Sequence, residues 1–175
     1  MKLWKFIVVV MLSCGVFAFR SDSIAFETKA VLGNRIELKI PKGFVIMSEE
    51  MAKRKYSAER RPTLLYTNES GTVSVALNLT SDRATQAQLP ACKENLMHTI
   101  RHRYMSAGEK FDDMKVVNGR KVGFVEFNTP AVDYNLIFFT DLDGRLLLCT
   151  VNCTEKNTEL WQPVAKGIMA SLKIK

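Results

Sequence analysis

Short segments of alternating apolar and polar residues, separated by turn residues, predict a chain built mostly from β-strands. The first two segments, FETKAVL and RIELKI, flank Gly33-Asn34. The next two, TLLYT and TVSVALNLT, flank residues 68–71. Four more, DMKVV, RKVGFVEF, DYNLIFF and RLLLCTVN, follow residue 111 with turns at Asn118-Gly119 and Asp143-Gly144. We expect hairpins from the early segments and an antiparallel meander from the last four.

Three segments are predicted to be helical. Ser48 is expected to cap a short helix with two glutamates in its first turn. A longer helix is predicted from about Leu89 to Met105, and a last helix from about Thr158. Their apolar residues recur at helical spacing and are Leu89, Cys92, Leu96 and Ile100 in the longer helix and Leu160, Val164, Ile168, Met169 and Leu172 in the last.

The central strands are predicted to be buried on both faces. In RLLLCTV, Leu146 and Leu148 point to one side of the sheet, whereas Leu147 and Cys149 point to the other. Apolar residues on both sides of a strand indicate that both faces of its sheet are covered. We therefore predict an α+β domain in which a mostly antiparallel sheet has helices on both faces, a three-layer α/β/α sandwich.

The amino terminus has the pattern of a signal peptide. MKLWKFIVVVMLSCGVFAF places two lysines before an uncharged apolar run, which is shorter than the roughly 20 residues of a membrane span. We expect residues 1–25 to be the signal, with cleavage after Ala18 or Ala25, and residues 26–175 to be one exported, periplasmic or secreted domain. In the alternative, Cys14 becomes a lipidated first residue and the product is a lipoprotein anchored to a membrane.

Composition and charge fit a soluble domain and exclude some function classes. The chain has 175 residues, 47% hydrophobic and 25% charged, enough for one domain with a full core. Loss of residues 1–25 removes three basic residues and one acidic residue, so the net charge of +7 falls to +5. The aromatic residues lie in apolar strands without an interleaved basic stripe, which argues against nucleic-acid binding.

Sequence motifs for catalysis or for cofactor binding are missing. The chain has no G-x-S-x-G nucleophile motif and no glycine-rich phosphate loop. The pattern DLDG at residues 141–144 lacks the later ligands of a calcium loop, so it is predicted to be a hairpin turn. The sequence implies no cofactor and favours a protein that is not an enzyme.

A basic stretch follows the first predicted helix, in SEEMAKRKYSAERRP at residues 48–62. Spacing of four residues predicts ion pairs between Glu50 and Arg54 and between Glu49 and Lys53 on the helix surface. Lys55, Arg60 and Arg61 are left over. They form either an ordinary solvated surface or the basic edge of a partner-binding site.

Glu94, His98 and His102 follow one another at four-residue spacing. On a helix they share one side, and two imidazoles with a carboxylate could hold a zinc ion. Flanking arginines and the lack of an obvious fourth ligand favour exposed histidines on a polar face instead.

Three cysteines follow the predicted signal, and export would place them in an oxidising compartment. On an extended strand Cys149 and Cys153 would lie roughly 13 Å apart, too far to bond to each other. A disulfide would therefore join Cys92 to Cys149 or Cys153. All three could instead be small buried hydrophobic residues.

The order of these elements, with IPKGF leading in and ELWQPVAKGIMASLKI leading out, resembles the PsbP-like superfamily. That superfamily includes PsbP, a Ran-binding factor of the same fold, DcrB-like bacterial envelope proteins and type VI secretion effector chaperones. The segments RPTLLYTNESGTVSVALNLT and TPAVDYNLIFFTDLDGRLLLCTVNCT look more closely like an uncharacterised bacterial subfamily. The resemblance covers about residues 27–174 and carries no catalytic motif.

The resemblance implies a non-enzymatic exported domain that binds another protein as an envelope accessory or assembly factor. The alternatives are a secretion-system immunity or chaperone-type protein and a metal-binding protein or enzyme that uses Glu94, His98 and His102.

Overall fold

The computed structural model describes residues 24–57, 61–104, 108–129, 133–154 and 158–175, with residues 108–111 and 133 described by their backbone alone. This part of the chain contains ten strands and three helices. Their order is β1 (Phe26–Val31), β2 (Ile36–Pro41), β3 (Val45–Ile46), α1 (Glu49–Lys55), β4 (Leu64–Thr67), β5 (Val73–Arg83), α2 (Leu89–Arg103), β6 (Gly108–Val117), β7 (Arg120–Asn128), β8 (Asp133–Leu142), β9 (Arg145–Thr154), α3 (Thr158–Ala170) and β10 (Lys173–Ile174).

The strands form two antiparallel sheets. Seven strands lie in the order β3-β4-β5-β9-β8-β7-β6, and three more in the order β1-β2-β10. The predicted meander is β6 to β9, and the predicted early hairpins are β1-β2 and β4-β5. The prediction of a single sheet is wrong, because β1 and β2 leave the large sheet and pair with the last strand instead.

Two-residue turns connect β6 to β7 and β8 to β9, as the sequence predicts. Asn118 and Gly119 have φ values of 48° and 81°, and Asp143 and Gly144 have 52° and 73°. Positive φ at both central residues defines the turn whose twist matches paired antiparallel strands. Asparagine, aspartate and glycine adopt this conformation at least cost, so these four residues fix the register of β6-β7 and β8-β9.

The central strands of the large sheet are fully buried on the face that lies under α3 and the three-stranded sheet. Leu147, Cys149 and Val151 of β9 have no exposed surface. They belong to the same core cluster as Leu38 of β2 and Ile168 of α3. The small sheet and α3 therefore form one cover over this face.

The opposite face carries two separate hydrophobic clusters. Helix α1 contributes Ala52 to a cluster with Leu65 and Ala76. Helix α2 contributes Met97, Ile100 and half-buried Leu96 to a cluster with Val125 and Phe127. An α+β domain with a large antiparallel sheet is thus confirmed, whereas complete helical cover of both faces is not.

Among the described residues, no helix combines the length and apolar character that crossing a membrane requires.

Candidate functional site

The central strand β9 is fully covered on one face and only partly covered on the other. Leu146, Leu148, Thr150 and Asn152 are half-buried, although β5 and β8 flank this strand on both sides within the sheet. They alternate with the fully buried residues of the α3 side. We call this half-covered strip, with the α1 and α2 residues that contact or border it, the inter-helix groove.

One end of the inter-helix groove is an apolar cavity beside α2. Its volume is about 290 Å³. Leu146, Leu148 and the buried ring of Phe139 form its apolar floor. The residues around this floor come from α2 and from the end of β5, and they are Cys92, Asn95, Leu96, Thr99, Asp82 and Arg83. The cavity can accept an apolar side chain between a helix and a sheet.

Gly123 of β7 shapes the floor of this cavity. A Cβ atom at this position would overlap the Phe139 ring and lie 3.0 Å from the Met114 sulfur. Glycine therefore lets the Phe139 ring lie flat over the neighbouring strand.

Cys92 does not have the surroundings of a nucleophilic cysteine. Partial burial raises its pKa, and the nearby Asp82 carboxylate raises it further. A nucleophilic cysteine needs the opposite, a pKa lowered by a positive group or by a paired base. No histidine is among the described residues that line the cavity, so none of them could serve as an imidazole base for Cys92.

The other end of the inter-helix groove is polar and carries Lys55. Its ammonium group lies 3.1 Å from the Ser74 hydroxyl and 3.2 Å from the Asn152 amide oxygen. The Ser74 hydroxyl also donates to Asn152, at 2.8 Å. These contacts hold the carboxyl end of α1 against β5 and β9, so Lys55 lies on the edge of the groove.

Of the other two residues of the predicted basic edge, Arg60 and Arg61, only Arg61 is among the described residues, and it does not lie beside Lys55. Arg61 pairs with Glu49 at 2.8 Å, and its buried Nε atom has no hydrogen-bond partner. Arg60 lies outside the described residues. The predicted pair between Glu50 and Arg54 is present at 3.5 Å. Arg61 thus folds back over the amino-terminal end of α1, while Lys55 faces the sheet.

The predicted metal ligands lie on the exposed side of α2. The Nε2 atoms of His98 and His102 are 3.0 Å apart, and their ring centres are 4.2 Å apart. Glu94 lies 3.5 Å from the Lys93 ammonium group. Within the described ranges, no three His, Cys, Asp or Glu side chains are grouped so that they could hold a metal ion.

The disulfide predicted from Cys92 is not present. Among the described residues, Cys92, Cys149 and Cys153 form no disulfide. Cys149 and Cys153 belong to the core cluster on the α3 side, whereas Cys92 borders the cavity on the α2 side. A bond between them would have to cross the sheet.

Sequence reasoning missed the inter-helix groove, although β9 carried a weak signal. Thr150 and Asn152 are polar, while Cys149, Val151 and Cys153 between and beside them are apolar. Such alternation is typical of a strand with one uncovered face. The apolar Leu146 and Leu148 earlier in the strand concealed it.

The chain matches no protein-family model and no curated protein. Its structure is similar to that of cyanobacterial PsbP (CyanoP) from Synechocystis sp. PCC 6803, with a TM-score of 0.59, 11% identity and coverage of 94% of this chain and 99% of that one. It is also similar to the Ran-binding protein Mog1p of Saccharomyces cerevisiae, with a TM-score of 0.50, 10% identity and coverage of 87% and 96%. Protein PA94 of Pseudomonas aeruginosa has a TM-score of 0.48 at 11% identity, with coverage of 86% and 97%.

The fold is PsbP-like. The predicted PsbP-like fold is therefore confirmed by the structural similarity to CyanoP and Mog1p. Identities of this size show a shared fold and transfer no function by themselves.

Proposed function

We propose that this protein is a non-enzymatic domain that binds another protein through the inter-helix groove. The observation that carries the proposal is the half-covered face of β9, where Leu146 and Leu148 lie partly exposed in the middle of a seven-stranded sheet. Partly exposed apolar surface at such a place is typical of an interaction site.

The two ends of the groove define the chemistry of the partner. The cavity over Phe139 fits one apolar side chain. The other end carries the ammonium group of Lys55 beside Ser74 and Asn152. We expect a partner segment with an apolar anchor residue and acidic residues beyond it, because complementary charge sets orientation and association rate.

The fold supports a binding function without specifying it. Mog1p is a Ran-binding protein, so a domain of this architecture can bind a protein. In this proposal the groove is a gap in a three-layer α/β/α arrangement. Helices α1 and α2 lie on one side, and α3 with the small sheet on the other.

We further propose that the protein is exported and acts as an accessory or assembly factor of the envelope. The amino-terminal pattern at residues 1–25 supports export. Ile24 packs against the core, and the Ala25 carbonyl accepts a hydrogen bond from the Lys42 N–H at 2.8 Å. These contacts favour cleavage after Ala18 over cleavage after Ala25. Mass spectrometry of the exported chain tests this, and a chain beginning at Phe26 or at a lipidated Cys14 would contradict it.

Site-specific crosslinking tests the groove. A photoreactive amino acid at exposed Thr99, on the α2 wall, is expected to capture a protein in cells. The same group at Leu160 of α3, which is 51% exposed, is the matched control. With the captured protein purified, Thr99→Arg should weaken binding at least tenfold, whereas Leu160→Arg should not. Equal capture from both positions, or unchanged affinity of Thr99→Arg, would refute the groove as the binding site.

A secretion-system immunity or chaperone-type protein is a narrower version of the same proposal. In that case the captured partner would be a secreted toxin or effector rather than a resident envelope protein. The identity of the crosslinked protein separates these possibilities.

A second candidate is a metal-binding protein or enzyme, favoured by the 3.0 Å separation of the His98 and His102 Nε2 atoms. Neutral imidazoles at i and i+4 can chelate a transition metal, and Glu94 would be the third ligand. Metal analysis after dialysis tests it. Stoichiometric zinc that is lost in His98→Ala and His102→Ala would favour this candidate, and its absence would exclude it.

A further inference from the structure

The inference concerns the free edge of the large sheet at β6. This strand is last in the seven-stranded order, and nothing in the described part of the chain pairs with its outer side. It has ten residues, whereas β3 at the opposite edge has two. The register shift of β6 lies between Glu109 and Phe111, so pairing is regular from Phe111 to Val117. A long regular edge is a template for another strand.

The same edge carries exposed apolar surface. Val116 is 73% exposed, the highest value among the exposed large hydrophobic residues. Met114 is half-buried and, like Val116, lies on the α2 side of the sheet. A partner strand alongside β6 would cover both residues.

We propose that β6 pairs antiparallel with β6 of a second copy of this chain, with Met114 at the centre of the pairing. A two-fold axis perpendicular to the sheet produces this arrangement and keeps the α2 face of both copies on the same side. Each residue then faces the one that lies equally far on the other side of Met114. The inference is independent of the inter-helix groove, which lies over β9 in the middle of the sheet.

Charge complementarity favours this register over the registers centred on the neighbouring charged residues. With Met114 at the centre, Asp113 faces Lys115 of the second copy, and the symmetry creates this pair twice. Opposite charges directly across two strands are stabilising, and like charges are destabilising. Centring on Asp112, Asp113 or Lys115 instead would place that residue opposite its own copy, with equal charges facing each other.

Packing on the α2 side agrees with this register. The two Met114 side chains would face each other, and Val116 of each copy would lie diagonally across from Met114 of the other. Diagonal neighbours across paired strands are within reach of long side chains. Val116 of each copy would also directly face Asp112 of the other, whose carboxylate pairs with Lys93 of its own chain at 2.6 Å. The register therefore places the methionine contacts on the α2 side and the two Asp113–Lys115 pairs on the other.

In the monomer, one backbone N–H group on the outer side of β6 is hydrogen-bonded to a side chain. The Asp113 carboxylate accepts a hydrogen bond from the Met114 N–H at 2.7 Å. In the dimer a strand can take over this backbone donor, which frees Asp113 for Lys115 of the second copy. Asp113 and Lys115 are both exposed in the monomer, so their substitution should leave the fold intact.

A charge-swap series tests the pairing by sedimentation velocity of the full chain over a concentration series. Asp113→Lys and Lys115→Asp should each raise the dimer dissociation constant by roughly tenfold or more, because two attractive pairs become repulsive. The double variant that exchanges the two residues should restore dimerisation. Thermal unfolding of each variant checks that the monomer fold is retained. This check matters most for Lys115, because its ammonium group lies 5.1 Å from the centre of the Phe124 ring.

Cysteine pairing tests the register directly. In full chains with Cys14 and Cys92 replaced by serine, Asp113→Cys and Lys115→Cys are oxidised separately and as a mixture. The register predicts a disulfide only in the mixture, since directly opposite residues fall within disulfide range and positions two residues out of step do not.

A wild-type chain that stays monomeric at every concentration would overturn the proposal. So would a double variant that fails to restore the dimer, or disulfides that form equally well within each separate sample. The groove variant Thr99→Arg should dimerise normally, so failure of this proposal is distinguishable from failure of the proposed function.

Discussion

Gly123 and Gly167 lie in very different surroundings, and this difference gives a residue-scale test of the packing beneath the groove. Gly123→Ala would push the Phe139 ring out of its position, because the new methyl group would overlap it. Overpacking of this kind usually costs about 1–3 kcal/mol. Gly167 has open space around its Cβ direction in α3, so Gly167→Ala should raise stability by roughly 0.5–1 kcal/mol.

Denaturant unfolding of both variants measures these opposite changes. Because Phe139 also forms the floor of the cavity, Gly123→Ala should weaken partner binding as well, and Gly167→Ala should not. If Gly123→Ala were as stable as the wild type, the position of the Phe139 ring would be wrong.

Cys92 and Cys149 give a second test, through the pH dependence of their alkylation. Only the thiolate reacts, and burial together with Asp82 raises the pKa of Cys92. The alkylation rate of Cys92 should therefore rise at higher pH than that of a cysteine in a peptide. Complete burial raises the pKa of Cys149 as well, so Cys149 should react only after unfolding.

Mass spectrometry after alkylation in native and denaturing buffers measures both effects. Asp82→Asn should move the Cys92 profile toward lower pH, because it removes the nearby negative charge. A peptide containing Cys92 joined to Cys149 or Cys153 would contradict the placement of these residues on opposite faces of the sheet.

At the scale of elements, α1 is too short to be stable alone and depends on its contacts. It has seven residues, and isolated helices of this length are unstable in water. The Ser48 hydroxyl accepts a hydrogen bond from the Met51 N–H, and Lys55 contacts Ser74 and Asn152 at the other end. Capping and anchoring thus hold both ends of α1 beside the groove.

Lys55→Met should loosen α1 without unfolding the domain. Loss of one hydrogen-bonding group costs roughly 0.5–1.5 kcal/mol, which corresponds to amide exchange in α1 up to about tenfold faster. Hydrogen exchange of the α1 amides is the measurement, and Lys53→Met in the same helix is the matched control because Lys53 is exposed. Equal exchange in the two variants would show that Lys55 does not anchor the helix.

The sequence predicted those elements whose signals are local. The turns at Asn118-Gly119 and Asp143-Gly144 defined the meander, and the Ser48 cap defined α1, because each depends on a few adjacent residues. The second sheet was missed because the pattern of β2 shows which residues are buried but not which strands lie beside it. Its third strand, β10, has only two residues and leaves almost no pattern.

The candidate site was harder to predict because it exists only where α1 and α2 leave part of β9 uncovered. Leu146 and Leu148 are as apolar as buried residues, and only the three-dimensional spacing of α1 and α2 leaves them half-exposed. The sequence also did not predict which side of α3 faces the core, for a similar reason. Leu160 is 51% exposed, whereas Trp161 and Ala165 are buried, since contacts with two sheets decide which side of the helix faces inward.

At the scale of the whole molecule, the two sheets share one core. Leu38 of β2 is fully buried in the same cluster as Leu147 of β9, and Trp161 of α3 lies in that cluster with its ring 5.5 Å from the Phe44 ring. Elements that share a core unfold together, so the small sheet should have no separate transition.

Leu38→Ala tests this cooperativity. Truncation of a fully buried leucine usually costs about 2–5 kcal/mol, and a shared core should spread that loss over the whole domain. Trp161 fluorescence, in a chain with Trp4 replaced by phenylalanine, and far-ultraviolet circular dichroism should therefore shift together in denaturant. Lys39→Ala is the control. The Lys39 side chain follows Leu38 in the same strand but is exposed, so its removal should change the free energy of unfolding by less than about 0.5 kcal/mol. Two separated transitions in Leu38→Ala would mean that the small sheet is an independent unit and does not support the large sheet beneath the groove.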